Sequence, residues 1–123
     1  MLLLSVGCDS NNICVNVGNQ MLHSTDDALI TKLYIEEEGG ITIIIEKKKG
    51  KKALSSLNLQ KLDTLNYAFH EIGFKNKLIN QFSLNPNSTY HIDNTSIGDA
   101  ASIGVTVETG ANGLIISSNK VCN

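Results

Sequence analysis

The residues that could carry acid–base chemistry are three histidines and the acids near them. His91 and Asp93 are two positions apart, so on a strand they would share one face and could form an acid–base pair. His23 stands close to two aspartates, and His70 falls on the polar side of a predicted helix. No glycine-framed nucleophile and no paired-glutamate motif accompanies them. A small enzyme using His91/Asp93 or His23 is therefore the alternative prediction, and a protein without catalytic residues is the first.

The sequence also contains no motif that indicates a metal site, a phosphate-binding loop or a disulfide. There is no Cys-x2-Cys, no His-Glu-x-x-His and no EF-hand loop, and the glycines fall at turns rather than in a phosphate-binding loop. Cys8 and Cys14 would point to opposite faces of a predicted hairpin, and Cys122 has no partner motif. The sequence therefore predicts three free cysteines, no metal and no cofactor, which is typical of a cytoplasmic protein.

The charge of the chain is unevenly distributed along it. Its 123 residues carry ten lysines, no arginine and twelve acids, for a net charge of −2. Five of the lysines lie within residues 47–52, which leaves five lysines against twelve acids, a balance of −7, for the rest. A broadly acidic surface disfavours nucleic acid, whose binding needs a basic face, and suits a basic protein partner. The lysine run is interpreted as a solvated turn that protects the adjoining strand edge from aggregation.

No membrane contact is expected from the sequence. No stretch approaches the roughly 18 apolar residues that a spanning helix needs. The first eight residues resemble the end of a bacterial lipoprotein signal, but their apolar stretch is short and no basic residue precedes it, so they are not predicted to be one. The expectation is a cytoplasmic protein that forms a single domain over residues 1–123.

The clearest structural signal is a hairpin over residues 32–47. Apolar residues alternate on both of its arms, and they share one face only if the loop is three residues long, Glu38-Gly39-Gly40. This register pairs Lys32 with Glu46 and puts the last glycine of the loop in the left-handed conformation. It also leaves Ile44 on the outer face, so that side chain should be covered in part by the fold or by a partner.

Further strands are predicted before and after this hairpin from the same alternation. The strongest turn signal is Asn112-Gly113, which as a two-residue loop sets Val107 opposite Ser118 and Thr109 opposite Ile116. The predicted strands are residues 2–7 and 13–17, residues 103–109 and 114–118, and shorter segments at 78–84 and 90–93.

One amphipathic helix is predicted at about residues 58–72. Asn58 would cap it, and Gly73 would end it. The fold class predicted is α+β: a mostly antiparallel sheet of several hairpins with this helix packed on one face. The apolar side chains that follow the 3.6-residue spacing are Leu62, Leu65, Phe69 and Ile72.

The overall profile of the chain resembles one class of bacterial proteins. In small size, acidity, A/T-rich codon usage (14 Asn and 14 Ile) and lack of a catalytic set, it resembles the immunity proteins that neutralise bacterial toxins, including those of contact-dependent growth inhibition. The resemblance implies a non-enzymatic domain that binds one cognate toxin, such as a nuclease, through acidic side chains or through a hairpin edge added to the toxin's sheet. A self-associating structural subunit, whose outer sheet face is covered by a second copy, is a further alternative.

The residues predicted to bind the partner lie around the hairpin over residues 32–47. Three glutamates at its tip and two aspartates near its base supply negative charge, and two apolar residues on the outer face could act as anchors. The predicted partner-binding residues are Glu36, Glu37, Glu38, Asp26, Asp27, Tyr34 and Ile44.

Overall fold

The chain forms ten short strands and no helix within the part that the computed structural model describes, residues 10–72, 77–79, 82–98 and 104–123. The predicted α+β class is therefore wrong, and the described chain is all-β. The strands are β1 (Ile13–Asn16), β2 (Met21–Ser24), β3 (Lys32–Glu37), β4 (Thr42–Lys47), β5 (Ser56–Asn58), β6 (Tyr67–Ile72), β7 (Lys77–Ile79), β8 (Thr89–Asn94), β9 (Val105–Thr109) and β10 (Ile115–Ser118).

The strands form two antiparallel sheets that contribute to one core. The larger sheet has seven strands in the order β10-β9-β8-β3-β4-β6-β7, and the smaller has three in the order β1-β2-β5. Buried and less buried residues alternate along the strands, so each sheet turns one face inward. The buried apolar cluster includes Ile13, Leu22 and Leu57 from the smaller sheet and Leu33, Ile45 and Ile92 from the larger.

The segment predicted as a helix, residues 58–72, contains the end of β5, a loop and strand β6. Tyr67 and Phe69 are buried on either side of the half-buried Ala68, which is the two-residue period of a strand. Leu65, which the helix would bury, is 69% exposed. Because β6 pairs with β4 over six residues, sheet pairing outweighs the helical spacing of the apolar residues.

Two side-chain turns explain why the start of this segment is not helical. The Asn58 side-chain oxygen accepts hydrogen bonds from the backbone N–H groups two and three residues further on, at 2.8 and 2.9 Å. The Asp63 carboxylate does the same, at 2.9 and 3.1 Å. Such bonds can cap a helix, but they also offer the backbone an alternative to it, and here each closes a single turn.

The Asp63 carboxylate gives this loop a pH dependence. The side-chain amide of Asn66 donates a hydrogen bond to it at 2.8 Å. That bond, together with the N–H groups of Asn66 and Leu65 and the charge of Lys48, holds the pKa of Asp63 below its usual value of 3.8, against the opposing effect of slight burial. A carboxyl group with a lowered folded pKa stabilises the fold above its unfolded pKa, and this contribution is lost as the pH falls through the folded pKa.

We expect Asp63→Ala to lower the free energy of unfolding by about 1 kcal/mol at neutral pH and by less at about pH 3. Urea unfolding of wild type and variant at both pH values measures the difference. A difference that stays constant with pH would contradict a role for the ionised carboxylate.

The hairpin over residues 32–47 has the predicted register. Lys32 lies opposite Glu46, and the Glu37 N–H donates to the Ile41 carbonyl at 2.9 Å, which leaves a three-residue loop. The glycine with positive φ is Gly39, at 74°, and not the last glycine of the loop as predicted. A Cβ added there meets no atom within 4 Å, so the backbone conformation alone favours glycine.

The β9–β10 hairpin differs from its prediction in the length of its loop and in one pairing. The Gly110 N–H donates to the Leu114 carbonyl at 2.9 Å, which leaves a three-residue loop where two residues were predicted. Val107 lies opposite Ser118 as predicted, but Ile115 rather than Ile116 lies opposite Thr109, and a bulge follows. Ile115 is 2% exposed and Ile116 is 62% exposed, so the bulge turns the first of the two isoleucines inward. The Gln20 side chain also holds Ile115, because it accepts from its N–H at 2.8 Å and donates to its carbonyl at 3.0 Å.

The remaining predicted strands are partly described. Residues 2–7 and Cys8, the first arm of the predicted first hairpin, lie outside the described residues, and the described partner of β1 is β2. The segment at 90–93 is confirmed as part of β8. Of the segment at 78–84, residues 78 and 79 belong to β7, residues 80–81 lie outside the described part, and Leu84 is buried outside any strand.

The chain end returns to the smaller sheet and is fixed there by a disulfide. The Val15 N–H donates to the Lys120 carbonyl at 2.9 Å, and the Cys122 N–H donates to the Val15 carbonyl at 3.0 Å. Cys14 is bonded to Cys122, with the two Cα atoms 5.0 Å apart. The prediction of three free cysteines is therefore wrong for these two. The pairing depends on a chain return over 108 residues, for which the local cysteine spacing carries no signal.

Candidate functional site

The larger sheet carries one row of side chains across four strands on the face that points away from the core. Leu33 and Ile35 point into the core, so Tyr34 between them points outward. Tyr34 lies opposite Asp93 of β8 on one side and opposite Ile44 of β4 on the other. We define the outer face as the surface formed by the outward-pointing side chains of β3, β4, β6, β8 and β9. These side chains include Tyr34, Glu36, Thr42, Ile44, His70, His91, Asp93 and Thr106.

Ile44 is only partly shielded on this face. It is half-buried and lies between Tyr34 on β3 and His70 on β6 in the strand register. The expected cover for Ile44 thus comes in part from its own cross-strand neighbours.

A second row of the outer face is polar. Glu36 lies opposite His91 on β8 and opposite Thr42 on β4, and His91 in turn lies opposite Thr106 of β9. The His91 Nδ1 atom is 3.0 Å from the Thr106 hydroxyl, and its Nε2 atom is 3.0 Å from a carboxylate oxygen of Glu38. Hydroxyl, imidazole and carboxylate thus form a hydrogen-bonded chain in the order that a nucleophile, base and orienting acid would take.

The predicted acid–base pair of His91 with Asp93 is not formed, because His91 has other partners. Both ring nitrogens of His91 engage Thr106 and Glu38 instead. The Asp93 carboxylate lies over Gly104, the residue before β9, so closely that a Cβ at that position would collide with it. Gly104 therefore leaves the space that the Asp93 side chain occupies.

The two rows enclose a shallow depression of about 340 Å³. Tyr34 contributes an aromatic ring to it, and Glu36 and Asp93 contribute exposed carboxylates. The Lys32 ammonium group lies 5.6 Å from the centroid of the Tyr34 ring, so one face of this ring already receives a cation. The other residues that line the depression are Thr42, His91 and Thr95.

The three glutamates of the hairpin tip do not act as one group. Glu36 points onto the outer face, and Glu38 contacts His91. Glu37 is held elsewhere, because the Asn85 side-chain amide donates to both of its carboxylate oxygens at 3.0 and 3.2 Å. Of the three glutamates, Glu36 is therefore the one that lines the depression.

The two predicted aspartates belong to a different part of the molecule. Asp26 accepts hydrogen bonds from the Ser24 hydroxyl and from the N–H groups of Ser10 and Ala28, next to the smaller sheet. Slight burial opposes ionisation, but these bonds outweigh it and lower the pKa of Asp26. Asp27 is exposed and lines a separate depression beside the disulfide, together with His23. Neither aspartate is among the residues that form the outer face.

Thr106 on the outer face and Thr95 in the lining of the depression are not among the predicted partner-binding residues. The alternation of Val105, Thr106 and Val107 predicts an outward Thr106, but its contact with His91 depends on β9 lying beside β8. Among the described residues, no group of three His, Cys, Asp or Glu side chains is arranged to hold a metal ion.

Comparison with known proteins gives no relative for this chain. No protein-family model matches it, and no curated protein and no solved structure matches it either. Within the described residues, the chain has no helix of the length and apolar character that crossing a bilayer requires.

Proposed function

We propose that this chain is a small protein-binding domain whose partner, a cognate bacterial toxin, docks on the outer face and inserts a lysine or arginine side chain into the depression. The observation that carries the proposal is the composition of the depression. An aromatic ring flanked by two exposed carboxylates, Glu36 and Asp93, is complementary to a cationic side chain.

The charge of the whole chain supports a basic partner. Outside residues 47–52, five lysines stand against twelve acids. The negative electrostatic potential of such a surface raises the rate of encounter with a basic protein and disfavours the binding of acidic proteins. Nuclease toxins bind nucleic acid through lysine and arginine side chains, so a nuclease is the toxin class that this chemistry favours.

The disulfide favours an oxidising compartment as the location of this protein. Disulfides persist in secreted and periplasmic proteins and are rare in the reducing cytosol. The cytoplasmic location expected from the sequence rested in part on three free cysteines, and Cys14 and Cys122 are paired. We therefore propose that the toxin is met outside the cytoplasm.

A small enzyme is the second candidate, and the chain of Thr106, His91 and Glu38 is the observation that favours it. His91 is 42% exposed and Glu38 is 66% exposed at the side chain. A hydrogen-bonded relay that is exposed to water accelerates a reaction only slightly, because the electrostatic effects that lower the barrier need a site from which water is excluded. Binding is therefore the function that these side chains support better.

Self-association through the outer face is disfavoured by charge. A two-fold interface would bring the same patch of each copy together. Glu36 and Asp93 of one copy would then approach the same carboxylates of the other, and juxtaposed like charges oppose association.

The proposal is tested by a matched pair of charge-neutralising variants, Glu36→Gln and Asp27→Asn. Each removes one exposed carboxylate, but only the first lies on the outer face. Titration against the purified product of a toxin gene adjacent to this one should show affinity about tenfold lower for Glu36→Gln, since a charged hydrogen bond contributes about 1.5–3 kcal/mol. Asp27→Asn should bind as wild type does.

Equal losses for the two variants would overturn docking on the outer face. Absence of any binding to the neighbouring product would overturn the toxin assignment itself.

A further inference from the structure

The strongest concentration of positive charge in the chain is a turn that projects into solvent. We call residues 47–52 the lysine turn; it begins at the last residue of β4 and carries five lysines around Gly50. Gly50 has a φ of 77°, and a Cβ added there meets no atom within 4 Å. Lys49, Lys51 and Lys52 are exposed. The turn is therefore a convex point of the surface.

Two of the five ammonium groups hold the turn together. The Lys47 Nζ atom donates to the carbonyls of Lys48 and Lys51, at 3.0 Å each, and so closes the turn on itself. The Lys48 Nζ atom donates to the carbonyl of Thr64 at 2.8 Å. The Lys48 N–H also donates to the carbonyl of Asn66 at 2.8 Å. The shape of the turn is thus fixed by the neighbouring loop.

The other three lysines have their charge available to a partner. Within the described part of the chain, no carboxylate lies within ion-pairing distance of a lysine of the turn. Lys49, Lys51 and Lys52 therefore present three ammonium groups on a fixed support. Compact ammonium groups suit phosphate oxygens as point charges.

We propose that the lysine turn binds the anionic surface of a lipid bilayer. A bilayer is a plane, so a single convex point can touch it while the rest of the molecule stays in water. Each lysine near an anionic surface contributes about 1 kcal/mol of attraction, so the three exposed lysines together supply about 3 kcal/mol, which corresponds to weak and reversible association.

A nucleic acid fits the same turn less well. Duplex binding needs a basic face that follows the phosphate backbone, and the surface beyond the turn is acidic, with a balance of −7. The turn has no arginine to read bases and no aromatic residue on which bases could stack.

The acidic end of the hairpin lies too far away to cancel this attraction. The loop with Glu36 to Glu38 and the lysine turn stand at opposite ends of β4, a strand of six residues. That strand spans about 20 Å at about 3.3 Å per residue. The screening length at physiological salt is about 8 Å, so a bilayer at the lysine end is screened from Glu36, Glu37 and Glu38. Bound in this way, the chain would point its acidic loop away from the membrane.

This inference stands independently of the proposed function. It also departs from the sequence-based expectation of no membrane partner, which rested on the lack of a spanning segment. Association at the surface needs no such segment.

The test measures co-sedimentation of the protein with vesicles of pure phosphatidylcholine and with vesicles in which about a third of the lipid is phosphatidylglycerol. The turn variant is Lys49→Ser/Lys51→Ser/Lys52→Ser, which keeps the two lysines that hold the turn. The control variant is Lys32→Ser/Lys61→Ser/Lys120→Ser, which has the same net charge. Circular dichroism establishes that both variants are folded.

Wild type should bind the anionic vesicles and not the neutral ones, and the turn variant should bind them about tenfold less or weaker still. The control variant should stay within about threefold of wild type, because its lysines lie outside the turn. Equal losses in the two variants would overturn the proposal, as would equal binding of wild type to both vesicle types. Turn-dependent binding to a DNA or RNA duplex without binding to vesicles would overturn it in favour of nucleic acid.

Discussion

Replacing both Cys14 and Cys122 with serine is expected to lower the free energy of unfolding by about 2–4 kcal/mol. The disulfide joins residues 108 positions apart and so restricts nearly the whole unfolded chain. The chain-entropy estimate for a loop of about 100 residues approaches 5 kcal/mol, and measured effects are usually smaller. Since small domains have only about 5–15 kcal/mol of stability in total, this is a large fraction.

Urea unfolding of the wild-type protein with and without reductant, beside the double serine variant, measures this contribution. Reduced wild type and the variant should unfold at the same lower midpoint, and reductant should not shift the midpoint of the variant. Under oxidising conditions the unfolded wild type should present one reactive thiol among its three cysteines, that of Cys8. Three reactive thiols would contradict the pairing.

The register of the hairpin over residues 32–47 could be predicted because two local constraints coincide there. Apolar residues alternate on both arms, and a slip of one residue would turn either set away from the core. The Gly39-Gly40 pair confines the loop to one place. The conformation within the loop was predicted less well, because either glycine can adopt the left-handed region and the sequence does not choose between them.

The helix was wrongly predicted because the spacing of apolar residues in one segment does not show which strand that segment pairs with. Leu62, Leu65, Phe69 and Ile72 match a helical face, yet Tyr67 and Phe69 match a strand equally well. The choice depends on β4, which has β3 on one side and needs a partner on the other. Pairing with β6 supplies that partner and buries Phe69.

The outer face could be predicted in its parts but not as a site. Tyr34 and Ile44 were expected to point outward, and His91 and Asp93 were expected to share a face. That these two groups meet depends on β8 lying next to β3, a pairing between segments more than fifty residues apart. Local periodicity contains no information about such strand order. The disulfide was not predicted for the same reason, since it joins two segments that are distant in the sequence.

Tyr34→Ala is expected to weaken binding of the proposed toxin partner by about thirtyfold, equivalent to about 2 kcal/mol, or more. Tyr34 is central to the outer face, has Asp93 and Ile44 as cross-strand neighbours, and contributes the aromatic ring of the depression. Truncation removes both the buried contact area and the ring that would face an inserted cation. Tyr34→Phe keeps the ring, so it should bind within about threefold of wild type.

The matched control for the lost apolar surface is Leu65→Ala, because Leu65 is 69% exposed and lies in the loop before β6, apart from the outer face. Thermal unfolding of each variant separates a loss of binding from a loss of folding.

The most direct measurement is the dissociation constant of the complex with the proposed partner, the product of a toxin gene adjacent to this one, by calorimetric titration of wild type, Tyr34→Ala and Leu65→Ala. Docking on the outer face predicts a dissociation constant about thirtyfold higher for Tyr34→Ala and an unchanged one for Leu65→Ala. A Tyr34→Ala variant that is folded and binds as tightly as wild type would contradict the account.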